Sequence, residues 1–461
     1  MNPTINRNLI RVFLVLFIPI LSCCKESDHP AVPNAAYPQF GTPFSNVPNT
    51  QDAIVYQVNI RAFSADGNFK GVMARLDSVK ALGVNVLYLM PIYPVGVLKA
   101  AYGIGSPYSV KDFKAVNPDF GTLDDLRNLV NAAHTRNMAV MLDWVANDTS
   151  WDNAWISNTS WYTKDSNGNI IYPIGTNWTD VADLDYTNQS MRAAMIDAMK
   201  YWVLTANIDG YRCDAADFVP FDFWAEANTA LRSIANHKLL MLAEGTRSDH
   251  FQAGFNLVYG MAFYSGLENK IFGNANSATL LQDLNTTEYA TALPGSQVLR
   301  YTTNHDVYLS DGSPVNLYGG KTGSMSAFLV AAYMKGVPMI YNGQEVGCTD
   351  VIDFFNRTPI NWATSPDMTA EYKKIINFRK GSDAVKNGQL TVYSSDDVAV
   401  FMKTASSAKV LVIANLRGTA VTYTVPFSLS PLVWKNAFTG TSVTLGSQLF
   451  LQPYQHFVLT Q

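Results

Sequence analysis

The sequence predicts an α/β fold: a closed (β/α)8 TIM barrel with a small insertion after its third strand, followed by a C-terminal antiparallel β-sandwich. Short β-branched runs alternate with helical patterns from residue 52 to about 386, which is typical of βαβ units and a parallel sheet. About eight strands can be counted, as a closed barrel requires. No glycine-rich dinucleotide fingerprint follows any of them, which disfavours an open doubly wound sheet.

The first 23 residues are predicted to be a lipoprotein signal peptide. Arg7 and Arg11 precede an apolar run at 12–21 that is too short to span a bilayer comfortably. The run ends in LSCC, which resembles a bacterial lipobox with Cys23 as the lipidated residue and Cys24 as the second choice. We therefore expect an exported protein whose N-terminus is anchored by lipid in the bacterial envelope, on its periplasmic or outer side. A plain signal peptide cut nearby is the alternative.

The chain between the signal and the C-terminus divides into four predicted segments. Residues 24–51 are rich in proline and polar residues without periodicity, which indicates a linker. Residues 52–386 are predicted to form the barrel, and about 148–188 an insertion too long for a simple loop. Its tryptophans either offer exposed platforms for a ligand or pack the insertion on the barrel: Trp151, Trp155, Trp161 and Trp178. Short, closely spaced strands at 387–461 predict the sandwich.

Composition excludes several classes of partner and site. The net charge is −4, and no run of lysine or arginine follows the first residues, so nucleic acid is not an expected partner. Outside the signal only Cys213 and Cys348 remain, which excludes a disulfide framework and a cysteine zinc site. The oligomeric state is left open.

Charged residues close four of the predicted strands. Because the carboxyl ends of barrel strands face the active-site mouth, these residues are candidates for one site. A single carboxylate at a strand end is more often a helix cap, but burying several together is costly unless a site uses them. Arg212 and Asp214 point to the same side of their strand, where the arginine can orient the aspartate. The candidates are Asp143, Arg212, Asp214, Glu244, His305 and Asp306.

Paired carboxylates without a metal-ligand cluster are suited to glycoside hydrolysis, in which one attacks or activates water and the other protonates the leaving oxygen. The ordered segments DWVAND, GYRCDAADF, AEG and YTTNHD resemble the signature regions of glycoside hydrolase family 13, the α-amylase family. Three further stretches agree with the family: SPYSVKDFKAVNPDFGT, DLDY and YNGQEVG. The resemblance covers roughly residues 52–380.

The resemblance implies a role for each residue. Asp214 would be the nucleophile, Glu244 the general acid/base, and Asp306 the third carboxylate, which binds sugar hydroxyls. Arg212 would orient Asp214, and the substrate-binding residues would be His305, Tyr108 and Asp143. The implied reaction is retaining hydrolysis of α-1,4-glucosidic bonds in starch-type glucans or maltooligosaccharides, with the two reacting carboxyls about 5 to 6 Å apart. No cofactor is required.

Two departures from the family pattern keep alternatives open. Asp148 stands where the family has a sugar-binding histidine, and Asp217 and Phe218 stand where it has Lys-His. A structural calcium ion at Asn147 is therefore doubtful, although oxygen ligands in the insertion remain available. The alternatives are a neopullulanase- or cyclomaltodextrinase-type hydrolase, a glucosyl transferase, and a non-catalytic surface lipoprotein that binds glycans.

Overall fold

The computed structural model describes residues 37–461. The predicted signal peptide, Cys23 and residues 24–36 lie outside the described residues. Ten strands form the barrel and the insertion: β1 Val55–Val58, β2 Val86–Leu89, β3 Ala139–Val145, β4 Asp148–Ser150, β5 Val181–Asp183, β6 Gly210–Asp214, β7 Leu240–Ala243, β8 Leu257–Tyr259, β9 Gln297–Arg300 and β10 Val337–Tyr341. The remaining strands are β11 Gln389–Val392, β12 Val398–Ala405, β13 Ala408–Asn415, β14 Val421–Thr424, β15 Leu432–Asn436, β16 Ser442–Leu445, β17 Gln448–Leu451 and β18 His456–Thr460.

Eight parallel strands close into a barrel in the order β1-β10-β9-β8-β7-β6-β3-β2. The strands read as continuous apolar runs because helices cover the barrel from outside. The weakest sequence signal, near Leu257, is a real strand of three residues that closes the ring between β7 and β9. The predicted eight-stranded barrel is therefore confirmed.

The helices of the described residues surround the barrel or connect its strands. The longest run of buried residues belongs to α11, which packs against β13 of the C-terminal domain as well as β10 of the barrel. The helices are α1 Ile60–Phe63, α2 Phe69–Ala74, α3 Leu76–Ala81, α4 Leu123–His134, α5 Gln189–Ala206, α6 Phe221–Arg232, α7 Met261–Ser265, α8 Leu280–Glu288, α9 His305–Ser310, α10 Pro314–Leu317, α11 Gly320–Tyr333, α12 Pro366–Gly381 and α13 Asp383–Asn387.

Residues 37–51 pack against the barrel, although the proline-rich composition predicted a linker up to residue 51. The Tyr37 hydroxyl donates a hydrogen bond to Asp197 in α5 (2.6 Å), and the Phe44 ring stacks on His134 at the end of α4 (4.3 Å between centroids). Val47 is buried. The few apolar side chains between the prolines thus bind a complementary helical surface, which composition does not reveal.

The insertion is a small two-stranded unit over the barrel mouth. Strands β4 and β5 pair antiparallel, with Asp148 opposite Asp183. Trp155 packs edge-on against Trp161 (5.2 Å), and Trp151 lies under the ammonium of Lys99. These three tryptophans stabilise the insertion by packing. Trp178 differs, since 38% of its surface is exposed.

The C-terminal domain is a sandwich of a six-stranded sheet, β11-β12-β13-β18-β15-β16, and a two-stranded sheet, β14-β17. The face of the six-stranded sheet that is turned away from the two-stranded sheet packs on the barrel. Lys403 in β12 is only 2% exposed, and its ammonium donates a long hydrogen bond to the Met334 carbonyl (3.3 Å). Burial lowers the pKa of Lys403 to about 8, with Arg379 and Lys335 acting in the same direction. Within residues 37–461, no helix has the length and apolar character needed to cross a membrane.

Candidate active site

The predicted site residues gather at one end of the barrel, where strands β6, β7 and β9 terminate. A cavity of about 420 Å³ opens there. Its walls come from the barrel strand ends, the insertion and the loops after β2 and β10. The lining residues are Ala101, Ser106, Tyr108, Asp148, Asn177, Trp178, Asp180, Val181, Asp214, Ala215, Glu244, His305, Asp306, Phe354 and Phe355.

Arg212 lies at the floor of this site and joins three carboxylates. Its side chain is fully buried, and Nη1 donates to Asp143 Oδ1 (2.7 Å) and to Asp214 Oδ1 (2.6 Å). Nη2 faces Glu244 as an ion pair without hydrogen-bond geometry. Arg212 and Asp214 reach the same side because they are two apart in β6. Two carboxyls that share one guanidinium lie close together, in keeping with the short spacing of retaining enzymes.

Glu244 follows β7 and is held by the turn after Asp214. Its Oε2 accepts a hydrogen bond from the backbone N–H of Ala215 (3.0 Å), and its backbone carbonyl accepts one from Ala216 (2.8 Å). Ala215 adopts a left-handed conformation (φ +43°), which non-glycine residues seldom do outside functional sites. This strained turn fixes the relative positions of the two reacting carboxyls.

A neutral histidine and two tyrosines extend the network. His305 is buried at the start of α9, and burial, followed by the positive charge of Arg212, lowers its pKa well below the usual value. Its Nδ1 contacts the Gln57 amide (2.8 Å), and its Nε2 contacts the Tyr108 hydroxyl (2.6 Å). The hydroxyls of Tyr108 and Tyr88 donate to Asp143 Oδ2 at 3.0 and 2.6 Å. Asp143 is thus an internal anchor and does not line the cavity.

Three carboxyl groups, those of Asp143, Asp214 and Glu244, face the single positive charge of Arg212. Burial raises the pKa of Asp214 well above its usual value against the opposing effect of Arg212, and nearby Glu244 and Asp143 raise it further. Arg212 therefore orients Asp214 without bringing the pKa of that carboxyl down to its usual value. The side chain of Asp306 is 51% exposed to the cavity, yet its depth in the barrel mouth and the proximity of Glu244 raise its pKa to about 7. Such a cluster of buried carboxyls retains protons.

Asp148 forms part of the cavity wall, although the sequence identified it only as a departure from the family. It is buried, its Oδ2 accepts a hydrogen bond from the Asn147 amide (3.1 Å), and its Oδ1 has no partner among the described residues. Burial raises its pKa well above the usual value. A side chain with an unsatisfied oxygen beside the reacting carboxyl is equipped to bind a substrate hydroxyl.

The surroundings of Asn147 do not fit the calcium ion that the sequence left open. Its amide donates to Asp148, and its backbone carbonyl accepts from the N–H of Leu184 (3.1 Å). The hollow beside it is also lined by the guanidinium-bearing Arg192, which pairs with Asp222 (2.6 Å). In residues 37–461, no three acidic, histidine or cysteine side chains are grouped to hold a metal. We assign no metal to Asn147.

Asp217 positions the loop that follows Glu244. Its carboxylate accepts hydrogen bonds from the backbone N–H groups of Thr246 (2.8 Å) and Arg247 (3.1 Å) and contacts His250 Nε2 (2.7 Å). The adjacent Phe218 is 47% exposed. The position that carries a sugar-binding lysine in the family therefore supports a loop in this chain.

Several residues that line the cavity were not predicted from the sequence. The missed residues on loops and turns are Ala101, Ser106, Asn177, Asp180, Ala215, Phe354 and Phe355, and those at the starts of β4 and β5 are Asp148 and Val181. The pair Phe354-Phe355 lies shortly after the last barrel strand, where Phe354 is buried in a hydrophobic cluster and Phe355 is half-buried against it. Positions on loops carry no periodicity that would indicate where their side chains point.

Comparisons with known proteins agree with this geometry. The family model described as alpha amylase, catalytic domain, matches residues 40–169 and 157–407. Alpha-amylase 3 of Dictyoglomus thermophilum is 28% identical over 71% of this chain and 70% of its own length. Trehalose-6-phosphate hydrolase of Bacillus subtilis is 24% identical over 88% of this chain and 97% of its own length. The crystal structure of an alpha-amylase from Lactobacillus plantarum superposes with a TM-score of 0.80 at 27% identity, over 89% of this chain and 99% of that chain. With the matches spanning barrel and site alike, the chain belongs to the alpha-amylase family, glycoside hydrolase family 13.

Proposed function

We propose that this protein hydrolyses α-1,4-glucosidic bonds in starch-type glucans or maltooligosaccharides with retention of the anomeric configuration. The observation that carries the proposal is the single guanidinium of Arg212 that holds Asp214 and Glu244 at the cavity floor. Membership of a family of glycoside hydrolases supports the reaction class. The named α-amylases among its relatives support the substrate class.

The reaction proceeds in two displacements. Asp214 attacks the anomeric carbon while the bond between that carbon and the leaving oxygen breaks. Glu244 donates its proton to the leaving oxygen. The product is a covalent glycosyl ester on Asp214. Glu244, now a carboxylate, takes a proton from water, whose oxygen attacks the same carbon and releases Asp214. Asp306, with half of its side chain open to the cavity, accepts hydrogen bonds from sugar hydroxyls, and neutral His305 and Tyr108 contact the same sugar.

Other activities on the same site remain distinct alternatives. A neopullulanase- or cyclomaltodextrinase-type hydrolase, or a glucosyl transferase, would use the same covalent intermediate with different glucans or acceptors. A non-catalytic glycan-binding protein is disfavoured, because a cluster of buried like charges is costly and a binding site alone has little use for it. Comparing soluble starch, pullulan and cyclodextrin as substrates separates the catalytic alternatives.

The carboxyl variants test the catalytic assignment. Asp214→Asn removes the nucleophile and Glu244→Gln removes the proton donor, so each should lower kcat on soluble starch by about 1,000-fold or more. Reducing-end release measures the rate, and NMR of the first product measures the anomer, expected to be α. Asp367→Asn, a surface carboxylate on α12 with 65% of its side chain exposed, is the matched control and should retain activity.

Two outcomes would contradict the proposal. Equal and negligible rates in the wild type and in Asp214→Asn would leave only glycan binding. A β-anomer as first product would indicate inversion and remove the nucleophile role of Asp214.

We further propose that the mature protein is a lipoprotein of the bacterial envelope, anchored through Cys23. The support is the sequence alone, since the LSCC stretch follows a short apolar run. Incorporation of labelled palmitate into the wild-type protein, and its loss in Cys23→Ser, is the expected result. Equal labelling of both proteins would exclude Cys23 and leave Cys24 to be tested in the same way.

A further inference from the structure

A second cavity lies on the outside of the barrel, between α3 and α12. Its volume is about 360 Å³. Two of its polar lining residues are buried, Tyr56 in β1 and Glu345 shortly after β10. Because β1 and β10 are neighbours in the ring, the cavity lies where the first and the last barrel strands meet. None of the residues assigned to hydrolysis lines this cavity.

Arg75 and Lys373 bring two positive charges to this outer cavity. Arg75 connects α2 to α3, and Lys373 lies in α12, so the charges come from two different walls. Both side chains are partly buried. Within residues 37–461, neither side chain forms a salt bridge or donates a hydrogen bond. Two cations are thus partly withdrawn from water without a partner that compensates for the lost hydration.

The two carboxyl groups that line the outer cavity do not neutralise these cations. Asp77 already binds Arg136 through both of its oxygens (2.6 and 3.2 Å). Glu345 accepts a hydrogen bond from the Tyr56 hydroxyl at one oxygen and from the N–H of Gly343 at the other (3.0 Å). Burial raises the pKa of Glu345 to about 7, so its carboxyl is partly protonated at neutral pH. The cavity therefore carries an excess of positive charge.

The guanidinium of Arg75 is held by an aromatic ring that leaves its N–H groups free. Its central carbon lies 4.1 Å from the centroid of the Trp362 ring. Trp362 is itself fixed, because its indole N–H donates to the Phe63 carbonyl (3.0 Å) and its ring packs on the Phe63 ring (4.9 Å between centroids). A stacked guanidinium presents a planar fork of donors and loses little side-chain freedom when an oxyanion binds.

A phosphate group is the ligand that matches these two cations. It carries a charge of about −1.5 to −2 at neutral pH and offers three acceptor oxygens. The fork of Arg75 can bind two of those oxygens, and the ammonium of Lys373 supplies the second positive charge. A carboxylate would bring only one negative charge. The volume of the cavity also leaves space beside the phosphate for a small polar group, and the hydroxyl of Ser78 lines that space.

We propose that the outer cavity between α3 and α12 binds a phosphate group, either the free ion or the monoester of a small polar metabolite, through Arg75 and Lys373. This site is separate from the reaction cavity, and its test requires no catalysis. The ligand would connect helices that follow the first and the last strands of the barrel. An occupied site should therefore stabilise the closed ring.

Titration calorimetry with inorganic phosphate and with glycerol 3-phosphate measures the binding directly. The wild-type protein should show saturable binding, and Arg75→Gln and Lys373→Gln should each raise Kd by about tenfold or more. Tighter binding of glycerol 3-phosphate would identify a monoester as the ligand, and equal binding would identify the free ion. Acetate should bind much more weakly than either, since it lacks the second charge.

Thermal unfolding gives a second measurement, with Lys374→Gln as the matched control. Lys374 is the next residue of α12, but it pairs with Glu371 (2.5 Å) and does not line the outer cavity. Phosphate raises the stability of many proteins by exclusion from their surface, so the comparison between variants carries the result. Saturating phosphate should raise the Tm of the wild type and of Lys374→Gln by about 2 °C more than it raises the Tm of Arg75→Gln or Lys373→Gln.

Three outcomes would overturn the proposal. The first is the absence of saturable binding in the wild type. The second is equal binding and an equal rise of Tm in all four proteins. The third is phosphate binding that maltoheptaose displaces by competition, because it would place the phosphate in the reaction cavity.

Discussion

Asp148 is the side chain at which the cavity differs most from the pattern of its family. It lies beside Asp214, with one carboxyl oxygen hydrogen-bonded to Asn147 and the other without a partner in residues 37–461. Burial favours its protonated form, and a neutral carboxyl both donates and accepts hydrogen bonds. A histidine in that place would also offer a polar group to the sugar, so the substitution preserves hydrogen-bonding capacity while changing its geometry.

A pair of substitutions at this position separates hydrogen bonding from charge. Asp148→Asn keeps the shape and a neutral polar group, so kcat/KM on maltoheptaose should stay within about threefold of the wild type. Asp148→Leu removes the partner for the sugar hydroxyl and should lower kcat/KM about tenfold or more. Equal losses in the two variants would mean that the negative charge itself is required.

The strand-end acids were predictable and the loop residues were not. Arg212, Asp214 and Glu244 close apolar runs, and alternation along a strand fixes the side to which each points. Trp178 and Phe355 lie in irregular segments whose direction depends on distant contacts, such as the hydrogen bond from the Arg61 guanidinium to the Phe354 carbonyl (2.6 Å). Whether a tryptophan of the insertion packs or faces solvent followed from the fold and not from its neighbours in sequence.

The strand that carries Arg212 and Asp214 begins with a glycine that tolerates no side chain. A Cβ on Gly210 would lie 1.9 Å from the carbonyl oxygen of Leu240 in the neighbouring strand β7. The backbone of β7 cannot move aside to relieve this contact, as the end of a flexible side chain could. The close approach of β6 and β7 brings the nucleophile and the acid together.

Gly210→Ala is therefore expected to force β6 and β7 apart. We expect a loss of about 3 kcal/mol of stability, seen as a fall of about 5 °C in Tm, together with lower activity. Gly381→Ala at the end of α12 is the control, since in the part of the chain that the structure describes no atom outside its own helical turn lies within 4 Å of its Cβ position. An equal effect of the two substitutions on Tm would show that the clash is relieved without cost.

The sequence predicted which segments are helices and strands better than it predicted the contacts between them. The helical and strand periods identified the barrel, with the short β8 as its most weakly marked strand. The packing of residues 37–51 on α4 and α5 was not predicted, since proline-rich composition hides a few well-placed apolar side chains. The spacing of short strands predicted the sandwich, but nothing in it indicated which face docks on α11.

At the scale of the whole molecule, the barrel and the sandwich enclose a lysine. The ammonium of Lys403 is buried against the barrel unit, and its pKa is lowered to about 8 from an ordinary 10.5. Between these two pH values the folded protein binds fewer protons than the unfolded chain, so this residue makes stability rise with pH. Below pH 8 the buried charge destabilises the folded protein.

Lys403→Met should thus raise stability at pH 7 by about 1 to 2 kcal/mol, and the gain should fade as the pH approaches 10. Thermal unfolding of variant and wild type across this range measures the difference in Tm. Lys435→Met, on the exposed side of the same domain, should change Tm little. A gain that grows with pH would contradict the assigned direction.

The sharing of one guanidinium among three strands limits the routes by which this protein can acquire new specificity. Asp143, Asp214 and Glu244 come from the ends of separate barrel strands, yet each one pairs with Arg212. Replacing any one of these carboxylates changes the charge that the other two share with Arg212. Natural divergence or laboratory evolution toward another glucan is therefore expected to change the peripheral loops.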